Sequence, residues 1–107
     1  MALKHVAPGE VMHLQPLGAA LPMLKTSALM KSDRFEAVRL VITAGTVIPS
    51  HQVDGFITLF CLEGHVILDV DRETELRAGD WIYLDRGSPH SVRGVEDSAL
   101  LLTILFD

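Results

Sequence analysis

From Leu24 to Phe106 the chain is a succession of short apolar runs separated by turn residues. The runs are rich in β-branched and aromatic side chains, and no long stretch repeats apolar residues at helical spacing. Short strands at regular spacing are typical of an all-β sandwich or barrel. The first two runs, LKTSALMKS and FEAVRLVIT, flank Asp33-Arg34 and predict an antiparallel hairpin.

The N-terminal segment differs in amino-acid composition from the rest of the chain. Proline and glycine interrupt residues 1–23 at Pro8, Gly9, Pro16, Gly18 and Pro22. Such residues end helices and strands, so we expect an irregular arm with at most a short helical turn around Leu17 to Leu21. The sequence therefore predicts one domain over 1–107, made of an arm (1–23) and a β-barrel (24–107).

The length and apolar content bear on assembly. A chain of 107 residues is long enough for one core, and 49% of its residues are hydrophobic against 21% charged. The C-terminal run Ala99 to Phe106 is apolar on both faces of a strand, which predicts a strand covered on both sides. We expect a homodimer, with its contact at this run or at the arm.

Charge and cysteine content limit the partners. The formal net charge is −5 and the nine basic residues are scattered, so no nucleic-acid-binding stripe forms. No apolar stretch approaches the roughly 18 residues of a membrane span, so no membrane association is expected. Cys61 is the single cysteine, which rules out an intrachain disulfide, and no secretory signal pattern is visible. We predict a cytoplasmic protein.

Two glycine-histidine patterns recur at defined spacing in the second half of the chain. Gly45 is followed after five residues by His51, and Gly64 closes this segment; Gly79 and Gly87 then precede His90. The spacing resembles the two motifs of the cupin family, in the form of a small single-domain bacterial cupin. The resemblance implies a jelly-roll, or double-stranded β-helix, barrel with the site at its mouth.

In metal-binding cupins two histidines and a glutamate of the first motif and a histidine of the second bind one cation. Carried over by position, His51 is the first of these ligands and His90 is the fourth. Val53 stands at the second ligand position, and Ile57, or Thr58 with the longer spacing, stands at the third. The resemblance therefore implies at most a weakly held or vestigial divalent cation, Zn, Fe, Ni or Mn, on two histidines. Two further positions depart from the motif: Asp85 replaces its proline and Gly94 its asparagine.

The function predicted from these residues is binding of a small molecule in the barrel, with His51 and His90 as polar anchors. The alternative is a metal-dependent or histidine-driven enzyme of the oxygenase, isomerase or decarboxylase type, with the same two histidines as catalytic candidates. The residues expected to line the pocket are Val53, Ile57, Leu59, Cys61 and Tyr83.

For several side chains the sequence is compatible with both a packing role and a role in the site. Cys61 has the strand parity of Ile57, and a single cysteine among apolar neighbours is most often a small core residue. Trp81 and Tyr83 share one face of a strand, with Ile82 and Leu84 on the other, and either pair could line the cavity. Asp54 is a further donor near His51, although Asp-Gly is a common turn pair. His65 is expected at the surface or an interface.

Overall fold

A computed structural model describes residues 5–106, which form two antiparallel β-sheets and one short helix. Residues 1–4 of the predicted arm and Asp107 lie outside the described residues. The strands are β1 (Ser27–Lys31), β2 (Phe35–Ile42), β3 (Val47–His51), β4 (Phe56–Glu63), β5 (His65–Val70), β6 (Arg72–Arg77), β7 (Trp81–Leu84), β8 (His90–Gly94) and β9 (Ser98–Leu105). A 3₁₀ helix spans Gly18–Met23.

The strands are ordered β1-β2-β9-β4-β7 in a five-stranded sheet and β3-β8-β5-β6 in a four-stranded sheet. Strands that are distant in sequence pair within each sheet, which is the connectivity of a jelly-roll, and the all-β prediction is confirmed. The predicted first hairpin is also confirmed, because β1 and β2 pair antiparallel and the Ser32 N–H donates to the Phe35 carbonyl at 2.9 Å.

The core lies between the two sheets and follows the alternation of each strand. On β9, Leu100 and Ile104 face inward, where Leu100 pairs with Cys61 and Ile104 pairs with Ile57. Direct cross-strand partners share a face, so this pairing assigns the inner face of every strand in the sheet. The buried cluster is formed by Ile42, Ile57, Leu59, Cys61, Val66, Leu68, Leu76, Leu84, Val92, Leu100 and Ile104.

The turn from β4 to β5 depends on Gly64. Its φ of 94° lies in the region that L side chains rarely adopt, and a Cβ at this position would collide with Ser98 Oγ and the Asp97 carbonyl. Ser98 is fully buried and its hydroxyl accepts from the His65 N–H at 2.9 Å. Gly64 therefore allows β5 to start directly against the chain entering β9.

The arm is attached to the five-stranded sheet at two points. The Val6 N–H donates to the Leu29 carbonyl at 2.8 Å. The Glu63 carboxylate accepts from the backbone N–H groups of Leu17, at 2.6 Å, and Gly18, at 3.1 Å. The predicted helical turn is confirmed as the 3₁₀ helix, and its Leu21 side chain is buried. Among residues 5–106 no helix is long and apolar enough to cross a membrane.

Glu63→Ala should loosen the arm, because it removes both acceptors of the Leu17 and Gly18 N–H groups. Hydrogen bonds to a charged acceptor contribute about 1.5–3 kcal/mol each when buried, and less at this half-exposed position, so we expect a loss of about 1–2 kcal/mol in the free energy of unfolding. Amide exchange at Leu17 and Gly18 should accelerate. Glu63→Gln, which keeps one acceptor oxygen, should lose less, and unchanged exchange in Glu63→Ala would show that the contact does not hold the arm.

Candidate functional site

The two histidines of the sequence motifs lie side by side at the end of the four-stranded sheet. His51, the last residue of β3, is the direct cross-strand partner of His90, the first residue of β8. Their ring centroids are 4.4 Å apart and the rings are tilted by 56°. His90 is buried, with 4% of its surface exposed, whereas His51 is exposed. One ring of the pair is thus buried in the interior and the other is accessible to solvent.

A bulge in β3 brings His51 opposite His90. Ile48 pairs with Val92, so a regular antiparallel ladder would place Ser50 opposite His90. The register shifts between Ile48 and His51 by one residue, and His51 takes that place instead. Pro49 lies in the shifted segment of this edge strand, where proline is tolerated because it has no N–H to donate. Without the bulge His51 would point to the opposite face.

Each histidine is oriented by a backbone carbonyl two residues earlier. His51 Nδ1 lies 3.0 Å from the Pro49 carbonyl oxygen, and His90 Nδ1 lies 3.0 Å from the Ser88 carbonyl oxygen. A carbonyl oxygen only accepts, so Nδ1 carries the hydrogen in both rings. In the neutral form each Nε2 then keeps a lone pair, which can accept a hydrogen bond or bind a cation.

The other donors of a metal site are replaced by core side chains. Ile57 is buried in the core cluster and Val53 packs against that cluster. Among residues 5–106 no group of three or more His, Cys, Asp or Glu side chains is arranged to hold a metal ion. A tetrahedral zinc site uses at least three protein ligands, and two imidazoles fall short of that number. The residues present do not fit a resident cation.

Comparisons with known proteins agree with this fold. The family model described as "Cupin domain" matches residues 38–106. The chain belongs to the cupin family. No curated protein matches it.

Solved structures from several bacteria resemble this one at low sequence identity. A cupin superfamily protein from Desulfitobacterium hafniense is 18% identical, with a TM-score of 0.76 over 100% of both chains. An RmlC-like cupin from Desulfovibrio desulfuricans is 24% identical, with a TM-score of 0.73 over 89% of this chain and 95% of the other. The polyketide cyclase RemF from Streptomyces resistomycificus is 21% identical, with a TM-score of 0.67 over 77% of this chain and 64% of the other.

The cupin barrel differs from the sequence prediction in what lines its interior. Ile57 and Leu59 keep 3% and 2% of their surface exposed, and Cys61 keeps none. A side chain on the wall of a cavity that admits water would retain accessible surface, so these three residues are packed core rather than pocket wall. All three side chains belong to the buried cluster in which the inner faces of the two sheets pack on each other.

Tyr83, the aromatic residue among those predicted to line the pocket, lies outside the barrel interior. Tyr83 pairs with Thr58 on the outer face of the five-stranded sheet, and half of its surface is exposed. Its strand neighbours Ile82 and Leu84 face the core instead. Loss of hydration, and then the neighbouring Asp85 carboxylate, raise the pKa of the Tyr83 hydroxyl. The apolar pattern alone could not separate the two faces, since both carry large side chains.

The loops on either side of the histidine pair are tied together at the rim. The Gly87 N–H donates to the Val53 carbonyl at 3.3 Å. Arg86 forms an ion pair with Asp54 at 2.7 Å, and its guanidinium lies 5.1 Å from the centre of the Phe56 ring. The Asp54 carboxylate therefore stabilises the loop contact with Arg86 and does not bind the histidines. The sequence pattern did not predict Arg86 as its partner. His65, expected at the surface or an interface, is largely covered and bonds Glu75 at 3.1 Å.

Gly94 explains one departure from the cupin motif. It stands where the motif has asparagine, and a Cβ there would meet the Thr43 carbonyl oxygen at 2.5 Å. The Gly94 N–H donates to the Thr46 carbonyl, and the Gly94 carbonyl accepts from the Gly45 N–H, both at 2.9 Å. The backbones approach too closely at the start of β3 for any side chain to fit without a shift.

Cys61 should be inert in the folded protein and should limit stability at alkaline pH. Burial, and then the Asp80 carboxylate, raise the pKa of its thiol from 9.0 to about 11. The stabilisation from a raised pKa is complete below pH 9, where the thiol is protonated in both states, and is lost as pH rises toward 11. The loss is at most about 1.4 kcal/mol per pH unit. Urea unfolding of the parent and Cys61→Ala at several pH values measures it.

Cys61→Ala should be less stable below pH 9, because it leaves a small void, but its stability should fall less steeply between pH 9 and 11. A thiol reagent should not modify native Cys61 below pH 9, and should do so after unfolding. Equal pH slopes in the two proteins, or rapid native modification, would contradict the assigned burial.

Proposed function

We propose that this cupin is a small-molecule-binding module in which the Nε2 atoms of His51 and His90 accept hydrogen bonds from one ligand. The observation that carries the proposal is the shared orientation of the two imidazoles. Both donate Nδ1–H to a carbonyl two residues earlier and both leave Nε2 unengaged by any described residue. Two rings 4.4 Å apart can reach neighbouring donors of a single molecule.

The chemistry of the pair favours an uncharged ligand with hydroxyl or N–H donors. A neutral imidazole with Nδ1 engaged can only accept through Nε2. The partly buried side chains of Ile48 and Val53, near His51 in the chain, pack against the core and supply apolar surface beside the pair. A molecule with adjacent donors and an apolar body, such as a small diol or phenol, suits this combination. We propose that the protein acts in the cytoplasm, where its single cysteine stays reduced.

A thermal-shift panel of small diols, phenols and amides tests the proposal. A ligand should raise the midpoint of thermal unfolding of the parent protein, since it binds the folded state. His51→Ala and His90→Ala should each weaken binding about five- to fifteenfold, because each removes a net hydrogen bond of about 1–1.5 kcal/mol. His13→Ala, at an exposed position in the arm, should bind as the parent does. Ligand binding that survives both substitutions at His51 and His90 would contradict the assigned site.

Two further experiments separate ligand binding from a metal site and from the enzyme alternative. Protein dialysed after loading with Zn²⁺ or Ni²⁺ should retain less than one equivalent, because two ligands do not complete the coordination. Stoichiometric retention that disappears in His51→Ala would overturn this prediction. The ligand should be recovered unchanged after long incubation. Conversion that depends on His90 would instead support a histidine-driven enzyme.

A further inference from the structure

The arm and the outer face of the five-stranded sheet enclose a cavity of about 500 Å³ with apolar walls. Its lining includes Val6, Pro8 and Met12 of the arm and Met30, Ala37 and Leu101 of the strands. Ala37 and Leu101 belong to the outer face, because their chain neighbours Val38 and Leu100 are buried between the sheets. The cavity has the volume of a small-molecule site, which is typically about 300–1,000 Å³.

The arm is attached to the sheet near its two ends. The Val6 N–H is bonded to β1 at one end, and the Glu63 carboxylate of β4 holds the other. Among the described residues no hydrogen bond joins residues 7–16 to a strand. Within this segment the Glu10 N–H donates to the Ala7 carbonyl at 2.9 Å. The middle of the arm can therefore lift without breaking any strand pairing, which opens a path to the cavity.

The apolar part of the cavity suits a hydrocarbon chain. Apolar cavities exclude water, and one of about 150 Å³ holds a single benzene ring. A cavity of about three times that volume accommodates roughly 12–18 carbon atoms. The side chains of Met12 and Met30 are flexible enough to follow the shape of such a chain. Each methylene group that enters should raise the affinity about fourfold.

Two polar side chains stand at one end of the cavity. Arg39 follows Ala37 by two residues on the same face of β2, and it is the direct cross-strand partner of Leu101. Ser27 of β1 pairs with Arg39 from the other side. Direct partners share a face and lie within contact distance of each other. The guanidinium and the hydroxyl are therefore neighbours beside two residues that line the cavity.

Neither of these polar groups is satisfied by the protein. Arg39 Nε and Ser27 Oγ are buried and have no hydrogen-bond partner among the described residues, and no described carboxylate forms an ion pair with Arg39. On the outer face of the other sheet, in contrast, Arg93 pairs with Glu73 at 3.6 Å. Buried donors without an acceptor are rare in native proteins. A guanidinium matches the two oxygens of a carboxylate, and a neighbouring hydroxyl can donate a further hydrogen bond.

We propose that the cavity beneath the arm binds a free long-chain carboxylic acid. Its hydrocarbon chain lies among Met30, Ala37 and Leu101, and its carboxylate accepts hydrogen bonds from Arg39 and Ser27. Burial of the chain supplies most of the affinity, and the charged pair selects an acid over other molecules of the same length. This site is independent of the proposed ligand site, because the histidine pair lies on the four-stranded sheet.

Isothermal titration calorimetry with dodecanoate, kept below the concentration at which it forms micelles, tests the site. The parent protein should bind one equivalent per chain. Dodecyltrimethylammonium has the same chain length and a cationic head, which the Arg39 guanidinium repels, so it should bind at least tenfold more weakly. Hexanoate buries six fewer methylene groups and should show no measurable binding in the same concentration range.

Three variants separate the head of the ligand from its chain. Arg39→Leu keeps the surface apolar but removes the cation, and should raise the dissociation constant for dodecanoate about ten- to fiftyfold. Arg93→Leu makes the same change on the other sheet and should bind as the parent does. Ala37→Phe fills the cavity and should abolish binding of dodecanoate. Circular dichroism and thermal unfolding establish that each variant is folded, and Arg39→Leu remains a test if Ala37→Phe does not fold.

Equal affinity of the parent and Arg39→Leu for dodecanoate would overturn the proposed carboxylate contact. Dodecanoate that still binds to folded Ala37→Phe would place the ligand outside the cavity and overturn the site. Sedimentation equilibrium at the same protein concentrations identifies the remaining competitor. Dodecanoate binding that is lost wherever the chain associates with itself would overturn the proposal in favour of a second copy as the occupant.

Discussion

The structure depends on the pairing of β9 with strands on both of its sides. All eight residues of β9 pair with β2, and seven of the eight pair with β4. Because β9 is central, its alternate residues divide between two environments: Leu100 and Ile104 are buried between the sheets, and Leu101 and Leu105 lie outside. A one-residue slip of this strand would exchange the two sets. The C-terminal apolar run thus fixes which face of its sheet becomes core.

The candidate site depends on a bulge in one edge strand, which the extensive strand pairing in the rest of the fold tolerates. β3 is an edge strand that pairs with β8, and its bulge at Pro49 shifts the register by one residue. This shift gives His51 the partner His90 and leaves each Nδ1 facing a backbone carbonyl. The four-ligand arrangement of metal-binding cupins is reduced to two imidazoles, because Val53 and Ile57 have become part of the packing.

The sequence predicts where strands lie along the chain better than it predicts which way their side chains point. Turn residues and β-branched runs located the first hairpin, and motif spacing located the pair His51 and His90. The sequence did not predict the bulge in β3, because a proline in an edge strand is also compatible with a regular register. The sequence also could not predict which face of the sheet carries Tyr83, since both faces of β7 are apolar. The attachment of the arm through Glu63 depends on contacts 46 residues apart, which local patterns do not report.

The tautomer of the two histidine rings tests the account most directly. Two-bond ¹H–¹⁵N correlation spectra of the imidazoles, recorded well above the ordinary histidine pKa of about 6.5, distinguish Nδ1–H from Nε2–H rings. The account predicts that His51 and His90 both carry the hydrogen on Nδ1 and leave Nε2 free to accept. A spectrum in which either ring is protonated on Nε2 would contradict the carbonyl anchoring on which the proposed ligand site rests.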